Sequence, residues 1–399
     1  MEVSLVSLLV LLYISHYLAG EDSKGNLEST ESNSSPRKSP PYLDAKNNLY
    51  YYYNKSAFPN SKLETIFRQL KRYTCLEFKP KWDNPISHKI GINFNISGKK
   101  STVELSTSKD CPTNVTLKED DFNNSTLLRF YIGIALDIIP EVRRPDRDID
   151  VNVTMDNVEE EFMQYYNITN SSYITYLNDT EFDFRSPMFF GPDFGSKNKR
   201  PTYKVKLYKK DQYPPGRGRP FRHNFYKYIF YYYCNGSTIT NKCKYGGYPN
   251  PSDHYKCKCS EHFSGTNCTE FNKNSYFTTN YTTPAPLEAN STKHYYSANL
   301  KNTVLYLNIT SKNGRNVSAT IQNITFSETN CSSSGSSLEV LTRKDKGAAG
   351  IYFCKNSTNV SLPPLSNEMF FVFNAKNENI FLNVTYKEVK KNKTTEISG

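Results

Sequence analysis

Long apolar runs, tryptophan and histidine are scarce in this sequence. Past residue 14 no segment approaches the ~18 consecutive apolar residues that a membrane helix needs, so no membrane span is expected in the body of the chain. One tryptophan and six histidines occur in 399 residues. Beyond residue 20 the histidines are His88, His223, His254, His262 and His294, scattered, with no pair four apart that a helix would aim at one ion. There is no G-x-S-x-G, no P-loop and no G-x-G-x-x-G between a strand and a helix, which removes the usual hydrolase elbow, nucleotide and dinucleotide sites. No internal repeat is evident, which argues against a solenoid.

What is present points outside the cell. Residues 3–14 are apolar and are followed by Ala19 and Gly20, the layout of a signal peptide over 1–20, although Glu2 stands where a basic residue is usual. Roughly twenty N-x-S/T sequons follow, among them Asn54, Asn95, Asn167, Asn235, Asn308 and Asn383, and several are expected to carry glycans. Nine cysteines, five of them between residues 234 and 268, fit an oxidising compartment with a small disulfide module in that stretch, and an odd number leaves one thiol over. The formal charge of +11 invites a polyanion partner. Lys and Arg are nevertheless scattered, with one dense cluster, GRGRPFRH at 216–223, and secretion argues against nucleic acid.

The chain divides by composition. Residues 21–45 are polar and rich in Ser, Pro and Lys, a pro-segment or linker. In 46–234 the spacing of Leu63, Ile66, Phe67 and Leu70 predicts a helix, KIGINFNI alternates like a strand, and STLLRFYIGIALDII reads as a helix ending near Asp137 and Pro140. DNVEEEFMQYY reads as a further helix, with Glu159, Glu160 and Glu161 on a solvated face. Residues 235–269 crowd cysteine and glycine, and 275–390 hold short strands (TVLYLNIT, VSATIQNITF, LEVLTR, GIYFC, MFFVFNAK and NIFLNVTY) that predict an all-β sandwich.

RRPDRD at 143–148, closing an apolar helix, resembles the end of the astacin metalloprotease signature HExxHxxGxxHExxRPDRD. TCLEF at 74–78, NVEEEF at 157–162, FDFRSPMFF at 182–190 and YYYCN at 231–235 resemble, in order, further landmarks of that metzincin family, the third of them its Met-turn. The stretch from Cys243 to Cys268 resembles an EGF-like module, and the stretch around Cys331, Gly350 and Cys354 a CUB domain. The resemblance implies an α+β astacin-like domain over 46–234, an EGF-like module over 235–269 and a CUB-like β-sandwich over 275–390.

The family binds zinc through three histidines and uses a glutamate as general base. Aligning on Arg144, Asp146 and the Glu141 before them puts those four positions on Phe130, Ile134, Pro140 and Tyr131, and the zinc-facing tyrosine of the Met-turn on Phe190, with Met188 kept. The helix-ending glycine falls on Asp137. Phe, Ile and Pro side chains have no lone pair for a metal, and a phenol with an ordinary pKa near ~10 is a poor base at neutral pH. The resemblance therefore implies a homologue without zinc and without a catalytic residue, acting by binding an extracellular protein or glycan. The alternatives are an active zinc endopeptidase using other ligands and an adhesive matrix glycoprotein. By the same resemblance Cys75 pairs with Cys234, Cys243 with Cys257, Cys259 with Cys268 and Cys331 with Cys354. Cys111 is left unpaired, either buried and inert or available for a disulfide-linked dimer.

Overall fold

The computed structural model of the protein describes residues 41–42, 44–54, 62–174, 176–207, 220–234, 240–273, 280–327 and 335–390. The leader 1–20, residues 21–40 of the following segment, residues 216–219 of the basic cluster, Asn235 and Cys331 lie outside the described residues.

Strand β1 (Leu49–Tyr53) and strand β5 (Thr113–Leu117) bury every second side chain, the period of a pleated sheet with one face inward. With β2 (Phe78–Lys81), β3 (Ile92–Ile96) and β4 (Thr102–Glu104) they form a five-stranded sheet in the order β2-β1-β3-β5-β4. Its pairings are parallel except at β4, which runs antiparallel along the edge. Helix α1 (Lys62–Tyr73) buries Leu63, Ile66, Phe67 and Leu70, the stripe its spacing dictates, and sets Phe67 4.3 Å from the Tyr51 ring. A short helix α2 (Glu119–Asn123) leads into α3 (Ser125–Ala135), whose first turn is capped by the Asn124 side chain accepting from the Thr126 and Leu127 amides. A two-stranded ribbon, β6 (Val151–Val153) with β7 (Tyr203–Val205), and helix α4 (His223–Tyr233) complete this mixed α/β region. A disulfide joins Cys75, just past α1, to Cys234 at the end of α4.

One element differs from expectation. Residues 155–165 form two 3-10 turns, Met155–Asn157 and Glu160–Tyr165, not an α-helix. The break has a cause: Val158 bridges Ser196, and the Glu159 amide donates to the Gly195 carbonyl at 2.8 Å, so the backbone between the turns is spent on another segment.

The small module at 240–273 holds two hairpins, β8 (Tyr248–Asn250) with β9 (Asp253–Lys258) and β10 (Phe263–Ser264) with β11 (Glu270–Phe271). The disulfides Cys243–Cys257 and Cys259–Cys268 staple it. Beyond it lies an eight-stranded sheet. The edge strands β12 (Tyr281–Thr282) and β13 (Leu287–Ala289) pair with β14 (His294–Ser311). The latter runs antiparallel to β19 (Glu368–Val389), and β15 (Asn316–Thr325), β16 (Ser337–Leu341), β17 (Ile351–Phe353) and β18 (Ser357–Leu362) extend the sheet. The two strands expected at 369–376 and 379–386 are one. Their polar break survives as a bulge, where Asn302 (φ 47°) faces the gap between Ala375 and Asn379. Cys354 is disulfide-bonded.

The three regions meet over buried polar contacts. Glu339 of β16 accepts from Arg185 at 2.9 Å, from the Gly350 amide at 2.9 Å, and lies 3.1 Å from the His262 ring of the small module. Asp345 accepts from Asn224 of α4 and from the Glu181 amide. The fit is tight: a Cβ on Gly246 would stand 2.3 Å from the Gly347 amide nitrogen. Phe263 and Tyr245 meet the ring of Phe370 edge-on, which seats the small module on the sheet.

Candidate functional site

Helix α3 is apolar on nearly every face because it is enclosed. Phe130 and Tyr131 are buried, with 0% and 1% exposure, and Ile134 is half-buried against the same core. Gly133 lets the helix rest on the Met-turn; a Cβ there would stand 2.2 Å from the Met188 sulfur. The helix ends at Ala135, with Leu136 as its C-cap. Asp137 (φ 60°) takes the left-handed position, its amide donating to Ile134 and the Ile138 amide donating to Gly133, both hallmarks of a Schellman stop. Pro140, buried, then caps the 3-10 turn Glu141–Arg143.

Aromatic rings surround Phe130. Tyr131, Tyr165, Phe190 and Phe194 all meet it edge to face at centroid distances of 5.2 to 5.5 Å. Phe190 also stacks on Phe194 at 4.4 Å and meets Tyr166 at 5.0 Å. Tyr203 and Tyr166 pin the backbone behind the cluster, donating to the Phe190 and Phe194 carbonyls. Burial pushes the Tyr131 phenol up, so it keeps its proton.

The resemblance assigned zinc to these positions. Carbon rings and a branched alkyl chain line them, and the one oxygen, on Tyr131, stays a neutral phenol. This donor set does not fit zinc. Among the described residues no group of three or more His, Cys, Asp or Glu side chains is placed to hold a metal ion.

The polar end of the motif is intact as a buried network. Arg144, 1% exposed, grips Asp146 with two parallel bonds of 2.8 Å and donates to the Thr180 carbonyl at 2.8 Å. Tyr228 of α4 donates to Glu141 at 3.1 Å, and the Glu141 amide donates to the Met188 carbonyl at 3.0 Å. Burial pushes the Glu141 carboxyl up to about 8; Arg144 pulls against that rise and Asp183 adds to it. These groups tie the helix exit, the Met-turn and α4 together. Cys111 is an exposed free thiol, apart from the cluster.

Phe130, Tyr131 and Phe190 are thus brought into contact, with Ile134 on the same helix and Met188 packed against it, while Cys111 lies apart. Sequence reasoning missed Tyr165, Tyr166 and Phe194 as members of the cluster, because they lie on turns without hydrophobic periodicity. It also missed Tyr228, one of many tyrosines in YKYIFYYY.

A sheet with a single antiparallel edge strand, a helix halting over Met188 and a disulfide between its two ends frame this region. Residues 40–214 match the model of the Astacin peptidase family. That segment is thus similar to an astacin-family domain. The chain is 27% identical over 233 residues to zinc metalloproteinase nas-24 of Caenorhabditis elegans, covering 55% of this chain and 52% of that protein. It is 30% identical over 140 residues to zinc metalloproteinase nas-36 of Brugia malayi, covering 34% of this chain and 24% of that protein. The chain therefore spans about half or less of the length of these relatives. Among solved structures it aligns with high choriolytic enzyme 1, a hatching enzyme zinc-protease from Oryzias latipes, at 17% identity and a TM-score of 0.38, covering 49% of this chain and 94% of that one. It also aligns with myroilysin at 13% identity and a TM-score of 0.33, covering 48% of this chain and 97% of that one. Among the described residues no helix is long and apolar enough to cross a membrane.

Proposed function

We propose that this chain is a secreted, non-hydrolytic astacin homologue that acts by binding an extracellular protein or glycan. The observation that carries the reading is Phe130, fully buried and ringed by aromatic side chains where the family places its first zinc ligand. A side chain that fills this space supports packing and offers nothing to polarise a peptide carbonyl. On this reading the module at 240–273 is EGF-like and the C-terminal sheet is CUB-like, the two pairs Cys243–Cys257 and Cys259–Cys268 supporting the first. Secretion is supported by the leader, the disulfides and the exposure of sequon residues Asn54, Asn95 and Asn167. Exposure of Cys111 supports a disulfide-linked dimer as a further form.

Similarity to two zinc metalloproteinases favours a second reading, an active zinc endopeptidase. Metal analysis of the purified protein with a casein digest in added zinc separates the two. The proposal expects no stoichiometric zinc and no cleavage. Near one zinc per chain with chelator-sensitive cleavage overturns it.

A further inference from the structure

The basic stretch at 216–223, noted in the sequence and unused by the astacin-type site, ends against a groove. Pro220 to His223 form one wall, α1 contributes Gln69 and Tyr73, and the small module contributes Tyr248, Lys258 and Glu261. The groove holds about 370 Å³, room for one or two sugar rings. Its shape depends on both regions, since neither α1 nor β9 alone encloses it.

The walls are aromatic. Tyr73, 38% exposed, stacks on Tyr226 at 4.9 Å, and Tyr248 stands 5.1 Å from the His223 ring. The Tyr226 hydroxyl is buried in the wall with the Gln69 side chain as its polar neighbour. The charge is one-sided. Arg222 and Glu261 cancel in an ion pair of 2.7 Å. Lys258 lines the groove, Arg72 lies over the Tyr73 ring, and neither has an ion-pair partner among the described residues. His223 donates from Nε2 to the Gly246 carbonyl, and burial together with Lys227 holds it neutral, so it adds no charge.

We infer that this groove binds an acidic oligosaccharide, with a sugar ring against Tyr73, the exposed aromatic of its wall, and a sulfate or carboxylate on Lys258 and Arg72. Aromatic faces take the C–H side of a sugar ring, and two unpaired cations select an anionic one. The groove shares no lining residue with the Phe130 cluster, so the inference stands whether or not the domain cleaves peptides.

Isothermal titration of the full secreted chain with a heparin-derived hexasaccharide tests it, with maltohexaose and a glutamate hexapeptide as comparison ligands. Binding of the sulfated sugar is expected. It should fall about tenfold in Lys258→Glu and in Tyr73→Ser, and weaken as salt rises, in line with release of bound counterions. Maltohexaose and the peptide should bind at least tenfold more weakly. Thermal unfolding checks that each variant folds, and Arg72→Glu replaces any that does not. The inference is overturned by no binding, by equal binding of the hexapeptide or maltohexaose, or by unchanged affinity in the groove variants. Loss of binding only when Arg217 and Arg219 become alanine also overturns it, by placing the site on the preceding segment.

Discussion

The rings of Phe130 and Phe190 meet edge to face, 5.5 Å apart and 88° between planes, one from helix α3 and one from the Met-turn. Two segments far apart along the chain are held together here by aromatic contact. Removing the Phe130 ring should leave a cavity that its neighbours cannot close. Phe130→Ala is expected to cost about 3–5 kcal/mol, read as a lower urea midpoint.

Restoring the missing groups should not restore chemistry. Phe130→His with Tyr131→Glu and Ile134→His is expected to be less stable than the parent, because polar groups enter an apolar site. It should leave casein intact even with zinc added, since Pro140 supplies no third ligand. Robust cleavage by this triple variant would show that the alignment on Arg144 is misplaced.

The Cys75–Cys234 bond closes a separation of 159 residues. Chain entropy alone makes such a link worth roughly 5 kcal/mol, comparable to the whole stability of many domains at about 5–15 kcal/mol. Cys75→Ser with Cys234→Ser should collapse the secreted yield, while Cys111→Ser, at an exposed free thiol, should leave it unchanged. Secretion assays of the two variants side by side read the difference.

Glu141 should make stability fall as pH rises. Its folded pKa of about 8 lies above its ordinary value of 4.5, so between those values the folded state keeps a proton that the unfolded chain has released. The contribution is full below pH 4.5, shrinks as pH rises, and is gone above about 8. Glu141→Gln mimics the protonated form, so its urea midpoint minus the parent's should grow from pH 5 to pH 8. A constant difference would mean the carboxyl is charged in the fold.

Removing Arg185 should weaken the junction more than removing a surface charge. Glu339 is buried and its pKa is held well below normal: burial would raise it, but Arg185 and His262 outweigh burial. Arg185→Ala strands that carboxylate, which costs about 3–5 kcal/mol when a buried pair is broken. Limited proteolysis between the α/β region and the C-terminal sheet should accelerate. A cleavage rate equal to the parent's would show that the junction does not depend on this pair.

Much of the architecture was legible where period and burial coincide. The stripe of Leu63, Ile66, Phe67 and Leu70 states a helix, and the alternation in KIGINFNI states a strand. The polar edge strand β18, STNVSL, has no apolar rhythm, since its one partner is β15 and its outer side faces solvent. The helix read at 156–166 fails for a non-local reason: residues 195 and 196 claim the backbone of Val158 and Glu159. At the candidate site, Phe130 could be singled out from RRPDRD and Phe190 from FDFRSPMFF, because a motif carries register. Phe194 and Tyr165 could not, because nothing in their neighbourhood marks an aromatic on a turn as facing inward. The groove beside Lys258 was invisible in the sequence, since α1 and β9 lie far apart along the chain.

The sulfur bridge from Cys75 to Cys234 also decides how tension would pass through the molecule. A pull on the chain beyond its two ends crosses from one cysteine to the other and bypasses everything between. The Phe130 cluster, the Met-turn and helix α3 sit inside that bypass. They would keep their shape under a load that peels strands from the C-terminal sheet, which has no such shunt across its full span among the described residues.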